Sequence, residues 1–343
     1  MVTIKEIADA AGVSIGTVDR ILHNRGRFSE KTAEKVHKLV KDLGYTPNLH
    51  ARGLKKSTQH SFSVVMPNKD QDNGYWNLIL EGINSSLTEL SSQGTKLNIY
   101  HFDRYSSISC KLAYEKAFND DSLGILAIPV RTEESRTLLE SQPKPFLFID
   151  SDIPNIKNKI TYIGQDSYKS GVLSAKLMSL LVKEKSTPTI LVIDPYGDDN
   201  HLKNRLEGFL NSIKERIPNV IVNIIKSNID HKTDTSLIEN LKDEENLPCG
   251  IFVANSMVYT IANYLNNKGD KFRKIPLIGY DIIPNGEDLV INETIDFIIT
   301  QQPKKQGYIG IKSLYDHLIL LKKIDDQIII PMNIITKENI STF

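Results

Sequence analysis

Two groups of side chains in this sequence have chemistry to offer. The first is cationic and lies near the N-terminus: Arg20, then Asn24, Arg25, Arg27 and Lys31. Donors in such a run clamp phosphate oxygens, and a guanidinium can also bond guanine O6 and N7 together, worth about 1–3 kcal/mol of base discrimination. Arg20 keeps both readings, base edge or backbone phosphate. Asp19 could accept from cytosine N4, although pairing with Arg20 or Arg25 is favoured. The second group gathers at the ends of apolar runs: Asn68, Asp72 and Asn73 before Tyr75-Trp76, then Asp150-Ser151-Asp152, Asn255 and Asp281. Carboxylates and amides hold adjacent hydroxyls in fixed directions, so this set suits a polyhydroxylated molecule.

Catalytic and metal chemistry is not indicated. Gly-x-Gly-x-x-Gly, P-loop, Gly-x-Ser-x-Gly and His-Glu-x-x-His patterns are missing, and the eight histidines are scattered, so an enzyme is not expected. Asp194-Pro195-Tyr196-Gly197-Asp198-Asp199 lacks the spacing of a calcium loop and reads as a loop at a strand's carboxyl end. Cys110 and Cys249 lie far apart, with neither zinc spacing nor a disulfide framework, which makes a reducing compartment the default. No cofactor or metal is expected.

The cationic group needs short helices to present it. Apolar residues at 4, 7, 8 and 11 share one helical face, and Thr3 with Glu6 forms a capping box. Gly12-Val13-Ser14 makes a turn, with Ser14 as cap of a second helix from Ile15 to about His23. Val18, Ile21 and Leu22 turn inward there, which leaves Gly16, Thr17, Asp19, Arg20 and His23 outside. Ser29 caps a third helix whose stripe is Ala33, Val36, Leu39, Val40 and Leu43, up to Gly44. Lys31, Lys35, Lys38 and Lys41 can equally be a solvated face. Two short helices about a Gly-containing turn form a helix-turn-helix, whose second helix enters the major groove.

Pro47 stops the third helix, and Asn48 can cap a short one through Leu49-His50-Ala51-Arg52-Gly53-Leu54-Lys55-Lys56. With these residues the chain resembles the lac-repressor family of transcription regulators, densely over residues 2–57 and more loosely to the C-terminus. The resemblance implies that Ile15, Gly16, Thr17 and Arg20 reach base edges. Thr3, Ser14, Thr17 and Ser29 then meet phosphates from helix N-termini. It also implies a hinge helix in the minor groove, with Leu54 wedged between base pairs or covering a dimer contact. Ala51 and Gly53 are small enough for close approach, and Arg52, Lys55 and Lys56 hold phosphates.

Beyond a polar linker, strands and helices alternate. Strands are expected at 61–66, 96–102, 124–128 and 146–149, then again at 189–193, 220–225, 250–253 and 276–278. Helices fall at 76–90, 108–119, 132–140, 167–182, 202–216, 235–241 and 256–266. Two βα series mean two doubly wound parallel sheets with right-handed crossovers. Residues 297–300, 303–322 and 327–336 read as a strand, a long helix and a strand pair. The expected fold is an all-α helix-turn-helix headpiece on an α/β body of two parallel-sheet lobes. In the family such a body is periplasmic-binding-protein-like, type I, with three connections between lobes.

The expected domains are 1–46 for the headpiece, 47–60 for hinge and linker, and 61–343 for effector binding and dimerisation. Within the body, about 61–163 plus 294–322 form one lobe and 164–293 plus 323–343 the other. The resemblance makes Tyr75-Trp76 a sugar-stacking pair (Trp76 as helix core is the alternative) and Asp150 an acidic ligand beside Asp152. It likewise sends Arg205, Asn255, Asp281 and the crossover Gln301 to ligand hydroxyls, with a turn-forming role the alternative for Asp281. Ser151 stands where sugar-binding relatives often carry Arg, and Asp166 reads as the cap of the helix at Ser167.

Charge agrees with one nucleic-acid-binding end. Of 42 Lys/Arg and 42 Asp/Glu, residues 1–57 hold 11 and 6, leaving 31 and 36 on the rest: about +5 against −5. The N-terminus lacks a signal-peptide core and no apolar run approaches about 18 residues, so neither export nor membrane insertion is expected and the cytoplasm is the expected location. Together these features predict a homodimeric regulator, a repressor, on a pseudo-palindromic DNA operator. Its effector would be a monosaccharide, polyol or sugar acid. The alternative is a solute-binding receptor for sugar transport.

Overall fold

The computed structural model describes residues 4–22, 28–43, 59–182, 186–195, 199–227, 241 and 246–343. Thr3, Asn24, Arg25, Arg27, Ala51, Leu54 and Lys55 lie outside these residues, as does the helix expected at 235–241 apart from its last position. The chain divides into two compact units, Met1–Thr58 and Gln59–Phe343.

The first unit holds α1 (Ile4–Ala11), α2 (Ile15–Leu22) and α3 (Glu30–Asp42). Ile7, Ala8, Ala11, Val18, Ile21 and Val36 meet in its core, with Ala33, Leu39 and Val40 packed against them. Gly12, at φ 69°, turns the chain out of α1, a conformation that costs glycine little. Ser14 Oγ accepts from Thr17 N at 3.1 Å and Ser29 Oγ from Thr32 N at 3.2 Å, so both helices carry the expected caps. Two details differ from expectation. Leu43 is 41% exposed, because α3 ends at Asp42 and the stripe ends with it. Lys35 does not simply face solvent: its Nζ donates to Ala11 O at 2.9 Å, satisfying a carbonyl at the end of α1.

The second unit contains two six-stranded sheets. In the first the order is β11-β5-β4-β3-β1-β2, made of β1 (His60–Pro67), β2 (Thr95–Phe102), β3 (Ile125–Ala127), β4 (Phe146–Ile149), β5 (Lys159–Gly164) and β11 (Gln327–Ile329). In the second it is β12-β10-β9-β8-β6-β7, from β6 (Thr189–Pro195), β7 (Ile221–Ser227), β8 (Gly250–Val253), β9 (Leu277–Tyr280), β10 (Phe297–Thr300) and β12 (Asn333–Ile335). The central strands β3, β4, β8 and β9 are buried at every residue, as parallel strands covered on both faces must be. The pairings are parallel except β10 with β12, so the second sheet has one antiparallel edge.

Helices α4 (Tyr75–Leu90), α5 (Ser107–Asn119), α6 (Thr132–Leu139) and α12 (Pro303–Leu318) belong to the first lobe. Helices α7 (Ser167–Leu181), α8 (Asn200–Arg216), α9 (Val258–Lys268), α10 (Asp270–Arg273) and α11 (Glu287–Ile291) belong to the second. Asp166 caps α7 by accepting from Lys169 N at 3.0 Å. Glycines bring the principal helix pairs together: a Cβ on Gly171 would run into the backbone of Arg205 and Phe209, and one on Gly307 into that of Ile79.

The expected lobe boundaries need correction at the C-terminal end. Residues 297–300 pair with β9 (Phe297 opposite Ile278), so they complete the second lobe rather than the first. Residues 327–329 pair with β5 (Gln327 opposite Tyr162), so they extend the first lobe rather than the second. The chain therefore crosses between sheets after β5, between Thr300 and Pro303, and between β11 and β12. Strand β5 itself, Lys-Ile-Thr-Tyr-Ile-Gly, was not expected, because its mixed composition resembles neither an apolar run nor a strict alternation.

Candidate functional site

Among the described residues, every buried Asp, Arg and His stands where the two lobes meet. These are Asp72, Arg104, Asp150, Asp199, His201, Arg205 and Asp281. Charged groups are seldom buried without a purpose, so this concentration marks the site. Each comes from the carboxyl end of a strand or the first turns of the helix beyond, where open α/β sheets bind ligands.

Asp150 and Asp281 are counterparts, one following β4 and the other β9, with φ of 69° and 60°. Asp tolerates this left-handed conformation because its short side chain bonds locally. Asp150 Oδ1 accepts from the Tyr75 hydroxyl, and Asp281 Oδ2 accepts from Gln301 Nε2 at 2.7 Å. Gln301 also accepts from Arg205 Nη2 at 2.7 Å. Arg205 further donates to Ser170 Oγ and Ala254 O, and its guanidinium carbon sits 3.7 Å from the Tyr280 ring centroid. Trp76 is 2% exposed in the lobe core, as its helix-core reading expects; it also lines the cleft, and its Nε1 donates to Asp72 Oδ2 at 2.8 Å.

The lobes touch directly through this layer. Arg104 donates to Asp72 in its own lobe and to Asp199 in the other. Asn73 Nδ2 donates to Ser256 O at 3.1 Å, and Ser256 Oγ to Asp72 O at 3.0 Å. The cavity left between them is about 20 Å3, roughly one water molecule. Asp72, Tyr75, Trp76, Asn255, Asp281 and Gln301 line it together with Arg104 and His201.

Burial dominates the electrostatics. It pushes Asp150 up to about 6 against the Tyr75 hydrogen bond, and Asp199 up to about 7 against the attraction of Arg104. Asp281 is raised by burial against its Gln301 bonds, and Tyr75 by burial and then by Asp150. Burial opposes the charge on Arg104, but Asp199 and Asp72 on either side outweigh it and hold the guanidinium charged. His201 is lowered by burial, then by Arg205 and Arg104, and is neutral.

Of the residues expected in the cleft, Tyr75, Trp76, Asn255, Asp281 and Gln301 line the cavity, and Asp150 and Arg205 bond to that wall. Asn68 and Asp152 are not brought into it. Asn68 is exposed, its N bonded to Phe102 O in the turn after β1. Asp152 accepts from Lys159 Nζ at 2.7 Å and lines a separate pocket between the lobes, with Tyr162, Asn200 and His201. On the headpiece, Ile15, Gly16 and Arg20 are exposed along α2 with Thr17 half-buried beside them. Arg20 folds back there, its Nε donating to Gly16 O at 3.1 Å.

Residues 62–322 match the periplasmic binding protein domain family, and residues 3–48 match the bacterial regulatory proteins of the lacI family. The HTH-type transcriptional regulator DegA of Bacillus subtilis is 30% identical over 265 residues, 75% of this chain and 74% of DegA. The chain belongs to the lacI family of bacterial regulatory proteins. Among solved structures, a Bacteroides fragilis protein assigned to the LacI transcriptional regulators superposes with a TM-score of 0.75 at 25% identity, covering 83% of this chain and 100% of that one. A solute-binding protein of a carbohydrate transporter from Agrobacterium radiobacter, in complex with D-arabinose, shares the fold at TM-score 0.72 and 19% identity over 83% of this chain and 97% of that one.

This lacI-family chain also uses residues that the sequence reading did not place in the cleft. Arg104, Asp199 and His201 are the main ones, with Gln306 behind them accepting from Asp150 N at 2.8 Å and donating to Gln301 O at 2.9 Å. A signal existed for two of these. Arg104 follows β2 and Asp199 follows β6, so the rule of strand carboxyl ends applies to them as it does to Asp150.

Proposed function

We propose that this regulator is a repressor that grips a pseudo-palindromic operator as a cytoplasmic homodimer. A small sugar-like effector held between the two lobes would control that grip. The observation that carries the reading is the gathering of buried charge at the lobe junction of a chain with a lacI-family headpiece. Tyr75, Trp76, Asp150, Arg205, Asn255, Asp281 and Gln301 would hold the effector, and the headpiece residues Ser14, Ile15, Gly16, Thr17, Arg20 and Ser29 would face DNA.

The contacts Arg104 to Asp199 and Asn73 to Ser256 join the lobes, so a ligand seated among them changes the angle at which the lobes meet. In a dimer that change would favour or oppose pairing of the hinge helices, an order–disorder switch. Linkage then requires DNA to alter effector affinity by the same factor by which effector alters DNA affinity. Catalysis has no part in this reading. A transport receptor would share the body but has no use for residues 3–48.

The test is operator binding by the full chain with and without a sugar panel, across a salt series. Affinity should fall steeply with salt, by about 10³–10⁵ between about 50 and 200 mM for six to ten phosphate contacts. Asp281→Ala should abolish the effector response while operator affinity persists. An unchanged dose–response would remove Asp281 from the site, and salt-independent retention would remove the DNA-binding reading.

A further inference from the structure

The chemistry of the effector follows from which cleft groups are already satisfied, given that the cleft is the effector site. Both guanidiniums already have protein acceptors. Arg104 is shared by Asp72 and Asp199, and Arg205 commits its three nitrogens to Ser170, Ala254 and Gln301. Four buried carboxylates, Asp72, Asp150, Asp199 and Asp281, face these two cations, and neutral His201 adds no charge. Carboxylates thus outnumber guanidiniums by two, and Asp199 and Asp150, pushed up by burial to about 7 and about 6, hold part of that excess as protons that an arriving cation would displace.

Of the three open polar atoms on Asp150, Asp199 and His201, two are carboxylate oxygens and the third is His201 Nδ1. Among the described residues, neither Asp150 Oδ2 nor Asp199 Oδ1, both buried, has a hydrogen-bond donor. His201 Nε2 is 3.8 Å from Asp150 Oδ2, too far for a hydrogen bond. The carboxylate oxygens can only accept while ionised, so what they lack is a donor, and what the cleft lacks is positive charge.

We propose that the effector carries an ammonium group on a polyhydroxyl frame, as an amino sugar or amino polyol does, and that sugar acids are excluded. An ammonium brings several N–H donors and the missing charge together, and charge-assisted bonds are roughly twice as strong as neutral ones. A plain hydroxyl donates once and leaves the carboxylate excess in place. A ligand carboxylate brings acceptors to acceptors and negative charge to negative charge, which desolvation makes costly.

The experiment uses the full-length protein, with calorimetry and thermal shift at neutral pH. The probes are matched triplets: glucose, glucosamine and glucuronate; galactose, galactosamine and galacturonate; mannose, mannosamine and mannuronate. The amino member of the best-binding triplet should bind about tenfold more tightly than its neutral counterpart, and the acid should not bind. Asp199→Asn should reduce that amino-to-neutral ratio by about the same factor. An acid that binds as well as its amino partner, or a neutral member that matches the amine in every triplet, overturns the ammonium proposal and leaves the sugar-like reading intact. An unchanged ratio in Asp199→Asn also overturns it, since the preference would not come from these carboxylates. If no member of any triplet binds, the sugar-like reading itself falls, and the proposal with it.

Discussion

Arg104, which follows β2 in the first lobe, donates Nη2 to Asp199 Oδ2 at the start of α8 in the second, with both side chains buried. The same guanidinium holds Asp72. One cation thus stands between two carboxylates across the junction of the lobes, which makes it a structural tie there and places it in the wall of the proposed effector cleft.

Replacing Arg104 with Met should leave Asp72 and Asp199 buried without their counter-charge. Breaking a buried pair from one side costs about 3–5 kcal/mol, and urea denaturation at neutral pH should show a loss of that size. A change below about 1 kcal/mol, the range of surface pairs, would mean that the lobes part readily in solution and the pair is seldom formed.

Stability should depend on pH through Asp199 and Asp150. Their folded values, pushed up to about 7 and about 6, lie above the ordinary carboxyl value near about 4. Within that window the native state binds more protons than the unfolded chain. Their contribution is therefore greatest at acid pH and is lost as pH rises through about 7. Unfolding free energies of wild type and Asp199→Asn measured across this range should diverge, the wild type falling more steeply with rising pH. Parallel curves would deny that Asp199 retains a proton.

Gly171→Ala would place a methyl group against the backbone of Arg205 and Phe209, forcing α8 away from α7. Overpacking of this kind costs about 1–3 kcal/mol. Because α8 carries Arg205 and His201, effector affinity should drop as well. A fully stable variant with wild-type effector binding would show that the helices separate without disturbing the cleft.

For Arg20→Ala the two readings of the side chain separate cleanly. If Arg20 reads a guanine, the variant loses about 1–3 kcal/mol on the cognate operator and tolerates other bases at that one position. If it holds a phosphate, all DNA sequences weaken alike and the salt slope falls by about 1. Competition binding against single-base operator variants decides between them.

Helix ends, the headpiece core and most strands were legible in the sequence because short-range forces set them. The Ser14 and Ser29 caps, the stripe through Ile7, Val18 and Val36, and the apolar runs of β4 and β8 each act within a few residues. Several cleft residues were legible too, through resemblance and their place at strand ends. Only the tertiary structure decided which sheet received 297–300 and 327–329, since a short apolar strand does not encode its neighbour. It alone paired Arg104 with Asp199, 95 positions away, and left Asn68 and Asp152 outside the cavity. Such pairings depend on how two folded lobes approach each other, and the energy that selects them, charge removed from water, does not exist until the lobes have closed.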